Sequence, residues 1–262
     1  MLVYLRVQVL SNGHEFMQKL KIIVKGETIN LCEPTKKFAG GDIWYKWLND
    51  PEMNKHLDKK YRRRDNTKKK QIKFFINHKK EQRRIFIIST KNHVYKGVVS
   101  LSRIDNEKRT CDIAVLTDTK IEPLFAPYAG LEAIALISNF AFSQLKLKRI
   151  DCGFKISQKN WFQRMELIGY KFFFRSRYNL KTFSSIMTDT KSVNPKVKPD
   201  SYFASLSNED FKFLKKKRGR LWDSLNLMKK RISKLPKTSF WEMYENFIDN
   251  DKKNYYDKIN NL

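Results

Sequence analysis

Cysteine is scarce in this chain. Its 262 residues hold three, Cys32, Cys111 and Cys152, far apart, odd in number, and without a Cys-x-x-Cys pair or a His spacing that would complete a zinc site. That pattern excludes a disulfide framework and a structural metal, and it is expected of a protein kept in reducing cytoplasm. Long hydrophobic runs are missing too. No stretch approaches the roughly 18 uninterrupted apolar residues of a membrane span. The apolar opening MLVYLRVQVL contains Arg6 but neither a basic lead nor a small-residue cleavage site, so no signal peptide is expected. A soluble, cytoplasmic protein follows from these lacks. Acids are the third shortage: 27 Asp and Glu stand against 54 Lys and Arg, a formal charge of +27.

What is present argues for a folded protein. Hydrophobic content of 41% with 13% aromatics rules out wholesale disorder, and the length suits one domain of about 180 residues with an appendage. The positive charge pulls toward an acidic partner: nucleic acid, an anionic membrane or a phosphorylated substrate. A chain rich in Lys, Asn, Ile and Phe also arises from AT-biased coding alone, and a charge run is most often a solvated face. Two segments concentrate the excess. Lys59 to Arg84 holds thirteen basic residues against Asp65 and Glu81, with Ile72, Phe75, Ile76 and Lys79 at helical spacing. This predicts an amphipathic helix whose aromatics face inward, the opposite of a nucleic-acid groove. Lys212 to Lys237 holds eleven basic residues and one acid, Asp223, with a thin stripe of Leu221, Leu225 and Met228.

The rest of the chain is organised around Asp112–Ile150. Ile113–Leu116 is an apolar, β-prone run, and Ile134, Ile137, Ala141 and Leu145 recur at the period of one helix face. Between them, Leu124-Phe125-Ala126-Pro127-Tyr128-Ala129-Gly130 has small residues and a Gly where the helix begins, so its free amides can converge on an anion. A phosphate-bearing cofactor is expected there.

Gly130-Leu131-Glu132-Ala133, Phe140-Ala141-Phe142, Leu145–Ile150 and Met165-Glu166-Leu167-Ile168-Gly169-Tyr170 together resemble the cofactor-binding core of the GNAT N-acetyltransferase superfamily, with order and spacing agreeing from about Gly26 to Phe211. The resemblance implies an α+β fold: a central, mostly antiparallel mixed sheet with one splayed parallel strand pair, flanked by helices. It implies acetyl-CoA as acyl donor, with Phe125, Ala126, Tyr128, Ala129, Gly130 and Leu131 around its pyrophosphate. Gln158 and Asn160 stand near the family's cofactor-holding Asn, and the backbone N–H of Val115 or Leu116 meets the thioester carbonyl. No metal is implied.

Departures from the family pattern are concentrated in that loop. Phe125 replaces Arg or Gln, Tyr128 replaces the first Gly, and Pro127 removes a donor. About two residues are inserted near Lys120–Pro123. Met165 replaces the Tyr that protonates the departing thiolate in many relatives. Asp112 is the candidate base, acting through water, against the plainer reading of a surface Asp at a strand end. Tyr128 is the candidate acid, against a loop Tyr stacked on its neighbours. Glu132 reads as structural.

In chain order, residues 1–24 form an extension, an extra strand or a leader; residues 25–211 form the acetyltransferase-like domain; residues 212–262 form a basic helical tail, expected to be dispensable for folding. Asp42 is expected to cap a short helix. Leu48-Asn49-Asp50-Pro51-Glu52 resembles a turn in the ribosomal-protein and amino-sugar branches, where it borders the acceptor pocket. The expected function is acetyl transfer from acetyl-CoA to a primary amine of an amino sugar, with a phosphorylated or nucleotide-linked one included. Protein N-terminal acetylation and a degenerate binding module stay open as alternatives. A nucleic-acid partner is open but not favoured, and oligomeric state is not legible.

Overall fold

The computed structural model describes residues 20–54, 66–78, 80–118, 120, 126–155, 158–176, 201–219, 224–236 and 249–262. Eight strands form one sheet. In chain order they are β1 (Ile22–Lys25), β2 (Ile29–Cys32), β3 (Arg84–Thr90), β4 (Tyr95–Asp105), β5 (Thr110–Thr117), β6 (Arg149–Lys155), β7 (Lys171–Ser176) and β8 (Ser201–Ser207), and in space they run β1-β2-β3-β4-β5-β6-β8-β7. Every neighbouring pair is antiparallel except β5 with β6. The expected mixed sheet with a single parallel pair is therefore present. The strand begun at Ile22 crosses the expected boundary at residue 24, because Val24 and Lys25 pair with Leu31 and Asn30.

On one face, α5 (Ala126–Ser143) crosses the sheet. Its sequence shows one apolar stripe, yet every residue from Leu131 to Ser138 is buried. A helix buried all round needs cover on its far side as well. Part of that cover is α7 (Asn208–Arg218), whose Phe211 ring lies 5.4 Å from Phe142. Glu132, fully buried in α5, accepts from the amides of Glu27 and Thr28 and from the Thr28 hydroxyl. It thereby ties the β1–β2 turn to the central helix, the structural role expected of it.

The opposite face carries a smaller core in which Phe38, Trp44 and Trp47 pack on Ile85 and Ile87. These aromatics come from α1 (Lys36–Gly40) and α2 (Asp42–Asn49), followed by α3 (Pro51–Asn54) and α4 (Lys68–Asn77). Gly41, not Asp42, is the N-cap of α2; Asp42 is its first residue and pairs with Lys68. In α4 the inward aromatic is Phe75, which packs on the smaller core as expected, while Phe74 and Ile76 are exposed. Gln71 is buried as well and donates to Ala39 O (2.7 Å), satisfying a carbonyl at the end of the short helix α1.

Beyond β6 come α6 (Lys159–Glu166) and, after α7, the helices α8 (Leu225–Ser233) and α9 (Asp249–Asn260). The last two do not stand off the domain. Met228, Tyr255, Tyr256 and Ile259 are buried in the main core. Tyr255 and Tyr256 donate to the two oxygens of Glu166 (2.7 and 3.1 Å), and the Phe172 amide donates to Tyr256 Oη (2.6 Å). Gln163 Nε2 donates to Pro236 O (2.5 Å). A stripe that looked too thin to matter is completed by two tyrosines on a later helix, at a spacing no single-helix pattern reveals. Among the described residues no helix is long and apolar enough to cross a membrane.

Candidate active site

The parallel strands β5 and β6 pair at three positions only: Thr110 with Arg149, Cys111 with Ile150, and Asp112 with Asp151. Beyond Asp112, β5 stays on β4 as far as Thr117, while beyond Asp151, β6 stays on β8 as far as Lys155. The two strands therefore diverge into a gap. Which backbone groups face it follows from strand alternation. Asp118 N donates to Lys96 O on β4 (2.8 Å), which assigns the amides of Leu116 and Ala114 to the β4 ladder as well. Those of Val115 and Thr117 point into the gap, while Ile113 faces β6 where the two strands still pair. On β6, Arg149 N reaches back to Arg109 O (3.3 Å), so beyond the last pair at Asp151 it is Gly153 and Lys155 that present their backbone to the same space. Of the two residues expected to offer an N–H there, Val115 points to the gap. Leu116 does not, and its side chain packs with Trp47 on the other face.

At the wide end of the gap stands the first turn of α5. The opening amides of a helix have no partner within it, which leaves those of Ala126 and Tyr128 for an anion, Pro127 having none. Gly130 comes fifth, and its amide belongs to the helical ladder. Its part is steric: a Cβ there would lie 2.8 Å from Trp161 Cη2 and 3.2 Å from Thr117 Cγ2. Trp161, on α6, is the side chain that closes against the helix start, and no motif drew attention to it. Tyr128 is half-buried, with Lys229 Nζ of α8 5.8 Å from its ring centroid. Ala129 and Leu131 are buried. Gln158 is half-buried at the N-cap position of α6 without a side-chain capping bond, and Asn160 is exposed. Phe125 lies outside the described residues, as do the 121–123 part of the expected insertion and the long 179–199 loop.

At the narrow end, Asp112 forms an ion pair with Arg103. Its neighbour across the ladder, Asp151, is buried with Arg149 Nε at 3.0 Å, and burial lifts its carboxyl to about 6 although the guanidinium opposes this. Met165 is buried and has no proton to give. The three cysteines are buried thiols, Cys111 pushed up to about 12 by burial, so none is poised as a nucleophile.

On the α2 face, beside the end of β5, lies an open groove of about 780 Å³ lined by Tyr45, Lys46, Trp47, Asp50, Met53, Tyr95, Asp118 and Lys120. The Asn49-Asp50-Pro51-Glu52 turn builds its rim. Asp50 Oδ1 accepts from Glu52 N (2.9 Å), starting α3, and the carboxylate pairs with Lys120, which holds it below the usual range. Asp118 forms the floor. It is 7% exposed and accepts from Trp47 Nε1 (2.7 Å) and from the Lys120 amide (3.0 Å). Sequence reasoning missed it; the signal was a lone acid directly after an apolar strand. Among the described residues no three metal-ligating side chains come together.

This splayed pair, with a helix start at its wide end, is shared with solved acetyltransferases. The chain has the GNAT fold. A GNAT-family acetyltransferase from Bacillus anthracis superposes with a TM-score of 0.53 at 14% identity over 71% of this chain and 98% of its own. The Vibrio cholerae spermidine N-acetyltransferase in complex with CoA and spermine gives 0.54 at 11%, over 71% and 99%. FdhC, described as a nucleotide-linked sugar GNAT, gives 0.56 at 13%, over 78% and 100%. Neither a family model nor a curated protein matches the sequence significantly. The GNAT fold here thus carries extra chain beyond the part these structures cover.

Proposed function

We propose that the protein transfers an acetyl group from acetyl-CoA to a primary amine, that of an amino sugar, a nucleotide-linked one included. The observation that carries the reading is the gap between β5 and β6, with one unpaired strand edge on each side and the α5 amides at its wide end. An extended pantetheine arm fits a strand edge that has lost its neighbour, and a pyrophosphate fits the free amides of a helix start. The residues present suit such a donor despite Tyr128 and Pro127, since Lys229 adds a cation above the same turn.

In the reaction the amine nitrogen attacks the thioester carbonyl, the C–S bond breaks, and the sulfur leaves as thiolate. The Val115 amide polarises the carbonyl oxygen as charge develops on it. The amine's proton goes to water and on to a carboxylate, with Asp112 at the narrow end the candidate acceptor. The thiolate takes a proton from water or from Tyr128, since Met165 offers none. The groove supports a sugar acceptor: Tyr45, Trp47 and Tyr95 supply aromatic faces, Asp50 and Asp118 accept from hydroxyl or ammonium groups, and Lys46 and Lys120 attract phosphate.

Acetyl-CoA should raise the melting temperature, because a ligand bound only by the native state must do so. Gly130→Asp should abolish that shift by driving a charged side chain into Trp161 and setting a negative charge beside the helix start. Thiol release with amino sugars and nucleotide-linked amino sugars, but not with N-terminal peptides, is the expected outcome. Release with peptides only would move the acceptor to protein. No release and no thermal shift would leave a binding module on an acetyltransferase fold.

A further inference from the structure

The outer face of α7 is distinct from that site. α7 follows β8, which runs antiparallel to β6, so it starts at the end of the sheet where β5 and β6 begin, away from the wide end of the gap. Ser207 Oγ caps it by accepting from Asp210 N (3.0 Å), and Gly219 ends it in the left-handed conformation. Phe211 and Leu214 fix it to the core, which turns Lys212, Phe213, Lys215, Lys216 and Lys217 outward. Phe213 is 57% exposed. On a helix its surface neighbours are the residues three and four further on, here Lys216 and Lys217.

More cations reach the start of this helix through the backbone. Asn208 N donates to Lys148 O (2.9 Å), Lys148 N to Arg109 O (2.7 Å), and Arg109 Nε to Lys146 O (2.7 Å). Arg109 and Lys146 both sit at left-handed φ, 57° and 55°, a conformation that Gly or Asn would adopt with less strain. Two cations are thus kept at strained positions on one end of the molecule. Glu209 and Glu107, the latter two residues from Arg109, are exposed acids nearby, while Asp210 is engaged by Ser207 and Lys171.

We propose that α7, with Phe213 at its centre and Arg109, Lys146 and Lys148 beside its start, is a docking face for single-stranded nucleic acid. An exposed ring stacks on any base, and lysines on both sides follow the backbone phosphates, the combination that sequence-tolerant single-strand binders use. An anionic membrane fits less well. Interfacial helices insert a broad apolar face, and the apolar residues of α7 other than Phe213 are already buried in the core.

The test is fluorescence anisotropy of a labelled oligouridine with the full chain, from about 50 to about 200 mM salt, the range over which phosphate neutralisation governs affinity. Wild type should bind, with affinity falling steeply as salt rises. Lys212→Glu with Lys216→Glu should weaken binding at least about tenfold and flatten the salt slope by about 0.7 for each phosphate that is no longer neutralised. Phe213→Ala should weaken it about 5- to 150-fold, the range for one stacked base. Lys69→Glu with Lys73→Glu on α4 makes the same charge change elsewhere and should leave binding within about twofold of wild type. Absence of RNA binding by the wild type, or equal loss in the α4 control, would overturn the proposal. So would a result in which the α7 changes abolish flotation with phosphatidylserine vesicles while RNA binding persists. Phe213 is on the surface, so its variant stays folded and decides the matter if the double reversal does not.

Discussion

On the α5 face of the sheet the buried carboxylates have dedicated donors, Glu132 from Thr28 and the Glu27 amide and Glu166 from Tyr255 and Tyr256, whereas on the α2 face Asp50 and Asp118 stand at the wall of an open groove. The first arrangement holds the chain together: each acid links a helix to an element distant in sequence. The second leaves carboxylates half-engaged, by Trp47, Lys120 and backbone, with solvent-filled space in front of them. The comparison separates where this molecule keeps its stability from where it can do chemistry.

Removing the C-terminal helices is the harshest way to break that division. A chain ending at Phe211 would strip Met228, Tyr255, Tyr256 and Ile259 from the core and leave Glu166 buried without its donors, a penalty of several kcal/mol against a typical domain stability of about 5–15 kcal/mol. The shortened chain should lose its cooperative thermal transition, followed by circular dichroism. A normal transition would mean that α8 and α9 contribute little and that the face comparison fails.

A smaller effect sharpens the comparison through pH. Burial pushes the Glu166 carboxyl up to about 8, against the two tyrosine hydroxyls that stabilise its charge. A folded value above the unfolded one means that the native state binds the extra proton. Stability is therefore greatest below the unfolded carboxylate range, near pH 4, and is lost as pH rises toward about 8, at about 1.4 kcal/mol per unit for this group alone. Glu132 and Asp151 are also raised by burial and act in the same direction. Glu166→Gln should remove only the Glu166 part. In urea titrations from pH 5 to 8 its stability should decline less steeply than wild type and exceed it at the alkaline end. Parallel profiles would show that Glu166 is ionised in the fold.

The smallest change belongs to the groove. Asp118→Ala leaves Trp47 Nε1 without its acceptor, about 1–3 kcal/mol if no water replaces it. On the proposed reading it raises the acceptor KM while the acetyl-CoA-induced thermal shift stays. Loss of that shift as well would join the groove to the donor site instead of the acceptor.

The sheet, the central helix and the splay between Thr110–Thr117 and Arg149–Lys155 were legible in the sequence. They rest on local patterns: apolar runs of strand length, a 3.6-residue period, and the Gly130–Ala133 and Phe140–Phe142 phrases between them. The expected loop over 124–130 was legible only as a helix start, since free amides there are a property of the helix itself; from Ala126 onward the chain is already helical. The groove on the α2 face was legible only as the Asn49–Glu52 turn. Asp118 and Trp161 were not, because one becomes a groove floor only when Trp47, 71 residues earlier, reaches its carboxylate, and the other matters only because it lands on Gly130.

By itself, then, the sequence determined the alternation of strands and helices, the free amides at the start of α5, and the charge of the surface, all set by neighbours within a few residues. Tertiary structure alone decided that the amide of Val115, and not that of Leu116, faces the gap, since this depends on which side of β5 is taken by β4. It also decided that the basic tail belongs to the core. Tyr255 and Tyr256 are ordinary residues of a polar helix until the buried carboxylate of Glu166, 89 and 90 residues away, requires two donors in a place water does not reach.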